Sequence, residues 1–185
     1  MNILAKQEFS GVAGIVLANN SGINYCKYRL HMIGLNNSVG VSAVPTILCS
    51  TNYGVSFDAG NNYLYYGYNA WYPEGLQDFD QLPFQSYGVA LTADATLSPE
   101  TGACGEMDIY TAGALAGVNT HTVFASPQSV STEVSAEDLI TGPMCGVWRG
   151  APGVAANAFK VQANRQGTPN ATISGLLILE GILQR

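Results

Sequence analysis

The chain has 185 residues, enough for one domain with a sizeable core, and a formal charge of −6 from thirteen acids against seven bases. Basic residues do not cluster beyond Lys27 and Arg29, which argues against nucleic-acid binding by phosphate neutralisation, and no run reaches the roughly 20 apolar residues of a membrane span. Only 11% of residues are charged, against about 25% in an average soluble domain, so Ser, Thr, Asn, Gln, Gly and Tyr must make the surface, as in a protein covered by copies of itself or by other proteins.

In chain order, residues 1–8 carry neither the charged n-region nor the apolar h-region of a signal peptide, which implies synthesis in a host cytoplasm without export. As a terminus this segment reads as an extended arm, and so do residues 179–185. Residues 9–18 are apolar and read as a strand, and Asn19-Asn20-Ser21-Gly22 supplies turn chemistry. Residues 23–33 alternate with period two: Tyr25, Lys27, Arg29 and His31 share one face, and Cys26, Tyr28, Leu30 and Met32 the other. Residues 39–49 form the next strand, where Pro45 argues for an edge or a bend.

Residues 53–57 read as a short strand entering the turn Asp58-Ala59-Gly60-Asn61-Asn62. A hairpin partner follows in residues 61–72, which hold five of the ten tyrosines and one of the two tryptophans. Tyr63 and Tyr65 face one way, and Leu64, Tyr66 and Tyr68 the other. Residues 72–83, with Glu74, Asp78 and Asp80, read as an acidic surface loop. Further strands are expected over 84–91, 104–111, 120–125 and 146–149, with one short helix over 135–140 capped by Ser135. A C-terminal hairpin pairs 158–163 with 171–180, and apolar residues on both faces of its second strand imply cover on both sides. Short strands separated by turns, with almost no helix, predict an all-β chain forming a single β-sandwich or jelly-roll-like domain over 1–185.

Candidate sites are few. The aromatic run offers Tyr63, Tyr65, Tyr68, Trp71 and Tyr72 as sheet core, as a subunit interface or as a stacking platform for a glycan, with Asp58, Asn61, Asn62 and Asn69 to bind hydroxyls; core and interface lead, with Tyr63 to Tyr68 as a buried strand. Asp58 with Asn62, or Asp78 with Asp80, supplies the hard oxygen ligands a calcium ion takes, although neither stretch matches an EF-hand loop. Glu106 and Asp108, like Asp78 and Asp80, place two carboxylates on one strand face, whereas glycoside hydrolysis takes them from opposite sides of a sugar. His31 and His121 read as ordinary surface or core histidines. Cys26, Cys49, Cys104 and Cys145 lack metal-ligand spacing and read as reduced thiols, with pairing in an extracellular particle left open. No nucleophile elbow, phosphate loop or dinucleotide fingerprint occurs, and no cofactor is implied.

The unprocessed start, the low charge, the Gly, Ser, Thr and Asn surface and the short strands together resemble small virion structural proteins of the tailed-phage capsid decoration or cement type. Ala171-Thr172-Ile173-Ser174-Gly175-Leu176-Leu177 is similar to the closing strand of the C1q/TNF-like jelly rolls, which implies trimeric assembly. The resemblance implies a non-enzymatic homo-oligomer localised in a virion, with major capsid or other virion proteins as partners. Its rivals are a host-glycan- or receptor-binding module of a fibre or spike, and a hydrolase with dispersed carboxylates.

Overall fold

The protein is described here from a computed structural model covering residues 2–23, 25–37, 45–72, 77–85, 88–91, 102–111, 121–132, 139–163 and 171–183. The strands are β1 (Asn2–Val12), β2 (Gly14–Ala18), β3 (Lys27–Asn37), β4 (Thr46–Ser50), β5 (Tyr63–Tyr72), β6 (Gln77–Gln85), β7 (Val89–Ala90), β8 (Ala103–Tyr110), β9 (Thr122–Thr132), β10 (Leu139–Trp148), β11 (Ala158–Gln162) and β12 (Ile173–Ile182). Among the described residues there is no helix, so none is long and apolar enough to cross a membrane.

The strands form two antiparallel sheets, ordered β1-β12-β3-β8-β9-β10-β5-β6 and β2-β11-β4-β7. Setting aside the insertions β5–β6 and β9–β10, eight strands remain that pair first with last inward along the chain: β1 with β12, β2 with β11, β3 with β8 and β4 with β7. That is a long antiparallel ribbon rolled up so that β12 meets β3 and β11 meets β4, which is the jelly roll. The two insertions then extend one sheet from β8 outward, widening it to eight strands.

Alternation decides which side chains enter the core. From the large sheet come Tyr28, Leu30, Met32, Met107, Ile109, Phe124, Leu177 and Leu179, and from the small sheet Leu17, Ile47, Cys49, Phe159 and Val161, all buried. Tyr28 and Phe159 join the layers edge to face, with centroids 5.2 Å apart, a favoured aromatic geometry.

Several sequence expectations change. Residues 2–8 and 179–182 are not free arms, because β1 and β12 pair with each other. The stretch 9–18 breaks at Ala13, where the chain leaves one sheet for the other. Residues 158–163 and 171–180 do not pair as a hairpin either: β11 and β12 belong to different sheets. β12 lies between β1 and β3, and Leu176 and Ile178 on its outer face are only half-buried, so the expected cover on both faces is partial; turn chemistry alone does not distinguish a hairpin from a crossover. Residues 53–57 form turns instead of a strand, with Tyr53 and Gly54 at positive φ. Ser50 Oγ accepts from the amides of Asn52 and Gly54, and Asn52 Oδ1 accepts from that of Ser56, so side chains take the N–H groups a ladder needs.

Prolines misled the reading elsewhere. Residues 77–83, expected in a loop, belong with 84–85 to β6, whose Pro83 is tolerated because β6 is the sheet's last strand. Pro127 and Pro143 lie inside β9 and β10 at an irregularity of their shared ladder, where the register skips between Gly142 and Met144. Leu139 and Ile140, expected in the helix, open β10; residues 135–138 of that expectation lie outside the described residues.

Candidate functional site

Of the five aromatic candidates, Tyr63 and Tyr65 are core residues and cannot form a ligand platform, since their alternating positions on β5 point between the sheets. Tyr63 stacks on Trp148, centroids 6.4 Å apart. Its hydroxyl accepts from the Cys49 amide at 2.9 Å and donates to the Asp58 carbonyl at 3.0 Å, tying β5 to the opposite sheet. Burial pushes this hydroxyl far above the ordinary tyrosine range, and likewise raises the Cys49 thiol, so both stay neutral. In β5, Tyr68 pairs with Phe79, Trp71 with Ile140 and Tyr72 with Leu139; their side chains lie outside the described ones.

Asp58 stands beside this buried aromatic pair as an acceptor. Oδ1 takes the Gly60 amide at 2.7 Å, and Oδ2 takes Asn62 Nδ2 at 2.9 Å and Trp148 Nε1 at 2.6 Å. A methyl group at Gly150 would overlap both Asp58 Oδ2 and Trp148 Nε1, so that position needs glycine to close the corner. The Asn62 nitrogen, a donor, therefore points at the carboxylate that a calcium ion would use. The second calcium candidate, Asp78 and Asp80, sits in β6 opposite Asn69 and Gly67, its side chains again outside the described ones.

A second polar assembly lies on the outer face of the large sheet, where the residues opposite the core positions of β3, β8 and β12 meet. The register sets Arg29 against Asp108 and Glu180, and His31 against Glu106. Asp108 receives Lys27 Nζ at 2.6 Å and Arg29 Nε at 2.8 Å, while Arg29 Nη1 lies 3.7 Å from Glu106. His31 bridges the remaining acids, Nδ1 to Glu106 Oε1 and Nε2 to Glu180 Oε2, each at 3.0 Å. A ring donates at both nitrogens only when both carry protons; a neutral ring serves one carboxylate. Because those nitrogens point away from each other, the three side chains do not converge on one point, and among the described residues no metal-binding group of His, Cys, Asp and Glu forms.

The electrostatics follow from this packing. Asp108 has a side chain only 15% exposed. Burial alone would raise its pKa, but the hydrogen bonds and charges of Arg29 and Lys27 outweigh that and hold the carboxyl below its ordinary value. Burial works against the Lys27 ammonium too, and its bonds to Asp108 and Tyr110 reverse the sign, leaving its pKa raised. Lys27 also sits 5.0 Å from the Tyr110 ring centroid, a cation–π distance. Three acids thus meet Lys27, Arg29 and His31, and the cluster is neutral when His31 is protonated. Around it on the same face stand exposed Ile3, Ile33, Tyr110, Val123 and Tyr66.

Sequence reading paired Lys27, Arg29 and His31 on one strand face and Glu106 with Asp108 on another, and the fold brings the two sets together. Glu180 was missed as their partner, since 149 residues separate it from His31; its only signal was an outward position in the alternation of β12. His121 immediately precedes β9. Cys26, Cys49, Cys104 and Cys145 are all free, with Cys104 and Cys145 exposed. Compared with known proteins, the chain matches no family model, and no curated protein or solved structure matches it significantly.

Proposed function

We propose that the protein is a structural subunit of a virus or phage particle, a capsid decoration or shell component that assembles with copies of itself and binds neighbouring capsid proteins. The observation that carries the reading is the outer face of the eight-stranded sheet. Its charged groups pair with one another within the chain, and exposed aliphatic and aromatic side chains border them. Covering charges that already have partners costs less than covering unpaired ones, and burial of the bordering apolar area offsets that cost. Tyr66, Tyr110 and Arg29 on this face are of the residue types enriched in protein contact surfaces.

The jelly-roll order supports the reading, since that architecture serves shell proteins as well as lectins, although a fold alone does not assign a role. The scarcity of charge, 11% of residues, points the same way. The glycan-platform alternative loses Tyr63 and Tyr65 to the core. The hydrolase alternative meets an Asp108 locked by two cations and two glutamates engaged with one histidine.

The mechanism is mechanical. Each contact removes apolar area from water at roughly 25 cal/mol per Å², less the cost of immobilising a subunit. Purified particles from cells carrying the gene should contain the chain in stoichiometric copies that cosediment through a density gradient. A chain found only in the soluble fraction, and not retained by empty shells, would overturn the reading.

A further inference from the structure

The outermost strand of the large sheet, β1, has a short segment written for pairing with itself. Its ladder with β12 is irregular between Ile3 and Ala5 and again between Phe9 and Val12. Between those irregularities lies a regular stretch, Ala5, Lys6, Gln7, Glu8 and Phe9, whose midpoint is Gln7. β1 ends the strand order of its sheet, so the side away from β12 is an edge. Lys6, Gln7 and Glu8 are exposed there. Lys6 lies opposite Ile178 and Glu8 opposite Leu176, which places both charges on the outer face.

We infer that β1 is a two-fold contact between two copies of this chain, pairing antiparallel about Gln7 to join two eight-stranded sheets into one. A dyad at Gln7 sets Lys6 of one copy against Glu8 of the other, and does so twice, while Ala5 meets Phe9 on the inner side. Directly opposed unlike charges stabilise a cross-strand pair and like charges destabilise it.

The neighbouring registers are disfavoured. Moving the dyad to Lys6 opposes two lysines, moving it to Glu8 opposes two glutamates, and parallel pairing opposes like charges at both positions. A one-residue slip turns every side chain to the wrong face. Charged residues and bulges are the usual protection of an edge strand. Here they bracket and code one pairing while discouraging the rest. The contact is isologous, as a closed two-fold requires. It rests on the assembly reading above but fails separately, because it is decided by mass in solution and not by particle binding.

The test is the native mass of wild type, K6E, E8K and K6E/E8K, by light scattering across a concentration series. Wild type should be an even multiple of the 19.5 kDa chain. K6E and E8K should each halve that mass, with the two-fold dissociation constant raised about tenfold or more. K6E/E8K, which exchanges the charges, should restore it, and so should mixing K6E with E8K, which opposes unlike charges across the dyad. Misfolded variants would not recover on mixing, and wild-type amides of residues 5–9 should gain exchange protection as concentration rises. A wild-type monomer or trimer, or an even assembly indifferent to both single substitutions, overturns the inference.

Discussion

Two polar networks hang on one sheet, separated by β9, and they face opposite ways. The inner one joins buried Tyr63 and Trp148 to half-buried Asp58 and ties the two sheets together. The outer one, Lys27, Arg29, His31, Glu106, Asp108 and Glu180, lies open on the sheet's other side. A buried polar group with no partner loses its full solvation, whereas an exposed one is rescued by water. The inner network should therefore hold the fold, and the outer one should be largely dispensable for folding and available for contacts.

The most damaging change is expected at the inner network. Trp148→Ala removes the ring that stacks on Tyr63 and the N–H that binds Asp58. Large-to-small replacement of a buried aromatic costs about 3–5 kcal/mol, a large share of a typical domain's stability. Urea unfolding should show the unfolding free energy lowered by that amount; a loss no larger than a surface substitution gives would mean the corner is not structural.

Tyr63→Phe is gentler because the ring stays. Only the hydroxyl is lost, leaving the Cys49 amide and the Asp58 carbonyl without the bonds it made. The expected cost is about 1–3 kcal/mol, seen as a lower midpoint with an unchanged denaturant slope. A neutral result would show that water or a shifted neighbour replaces the hydroxyl, and the contrast between the two networks would weaken.

How far these networks could be read from sequence depended on sequence distance. Period-two alternation placed Lys27, Arg29 and His31 on one face of β3 and Glu106 with Asp108 on one face of β8, and the fold agrees. It could not say that β8 and β12 flank β3, so the pairing of His31 with Glu106 and Glu180 was invisible. The density of aromatic residues in β5 reads as sheet core or interface ahead of a ligand platform, and two of the five candidates, Tyr63 and Tyr65, do fill the core. The all-β jelly roll was legible from strand rhythm. Its inserted hairpins were not, because Pro83, Pro127 and Pro143 read as breaks and only the edge and the ladder irregularity explain how they are accommodated.

The smallest effect is expected at the outer network. Asp108→Asn removes the carboxylate that Lys27 and Arg29 share. Partly exposed ion pairs contribute about 0.2–1 kcal/mol each, so the loss should be about 1 kcal/mol and should shrink in 1 M salt, where the Debye length falls to about 3 Å. The pH dependence has a definite sign. Asp108 titrates below its ordinary 3.8 in the native state, so its stabilisation is complete above that value and disappears as pH falls through the lower native pKa. Lys27 titrates above its ordinary 10.5, so the same pair is intact below that value and is lost as pH rises through the native pKa. The stability difference between wild type and Asp108→Asn should be flat between those limits and close at both ends. A difference that persists into strong acid would show that Asp108 stabilises by shape instead of charge, and would place the outer network with the inner one.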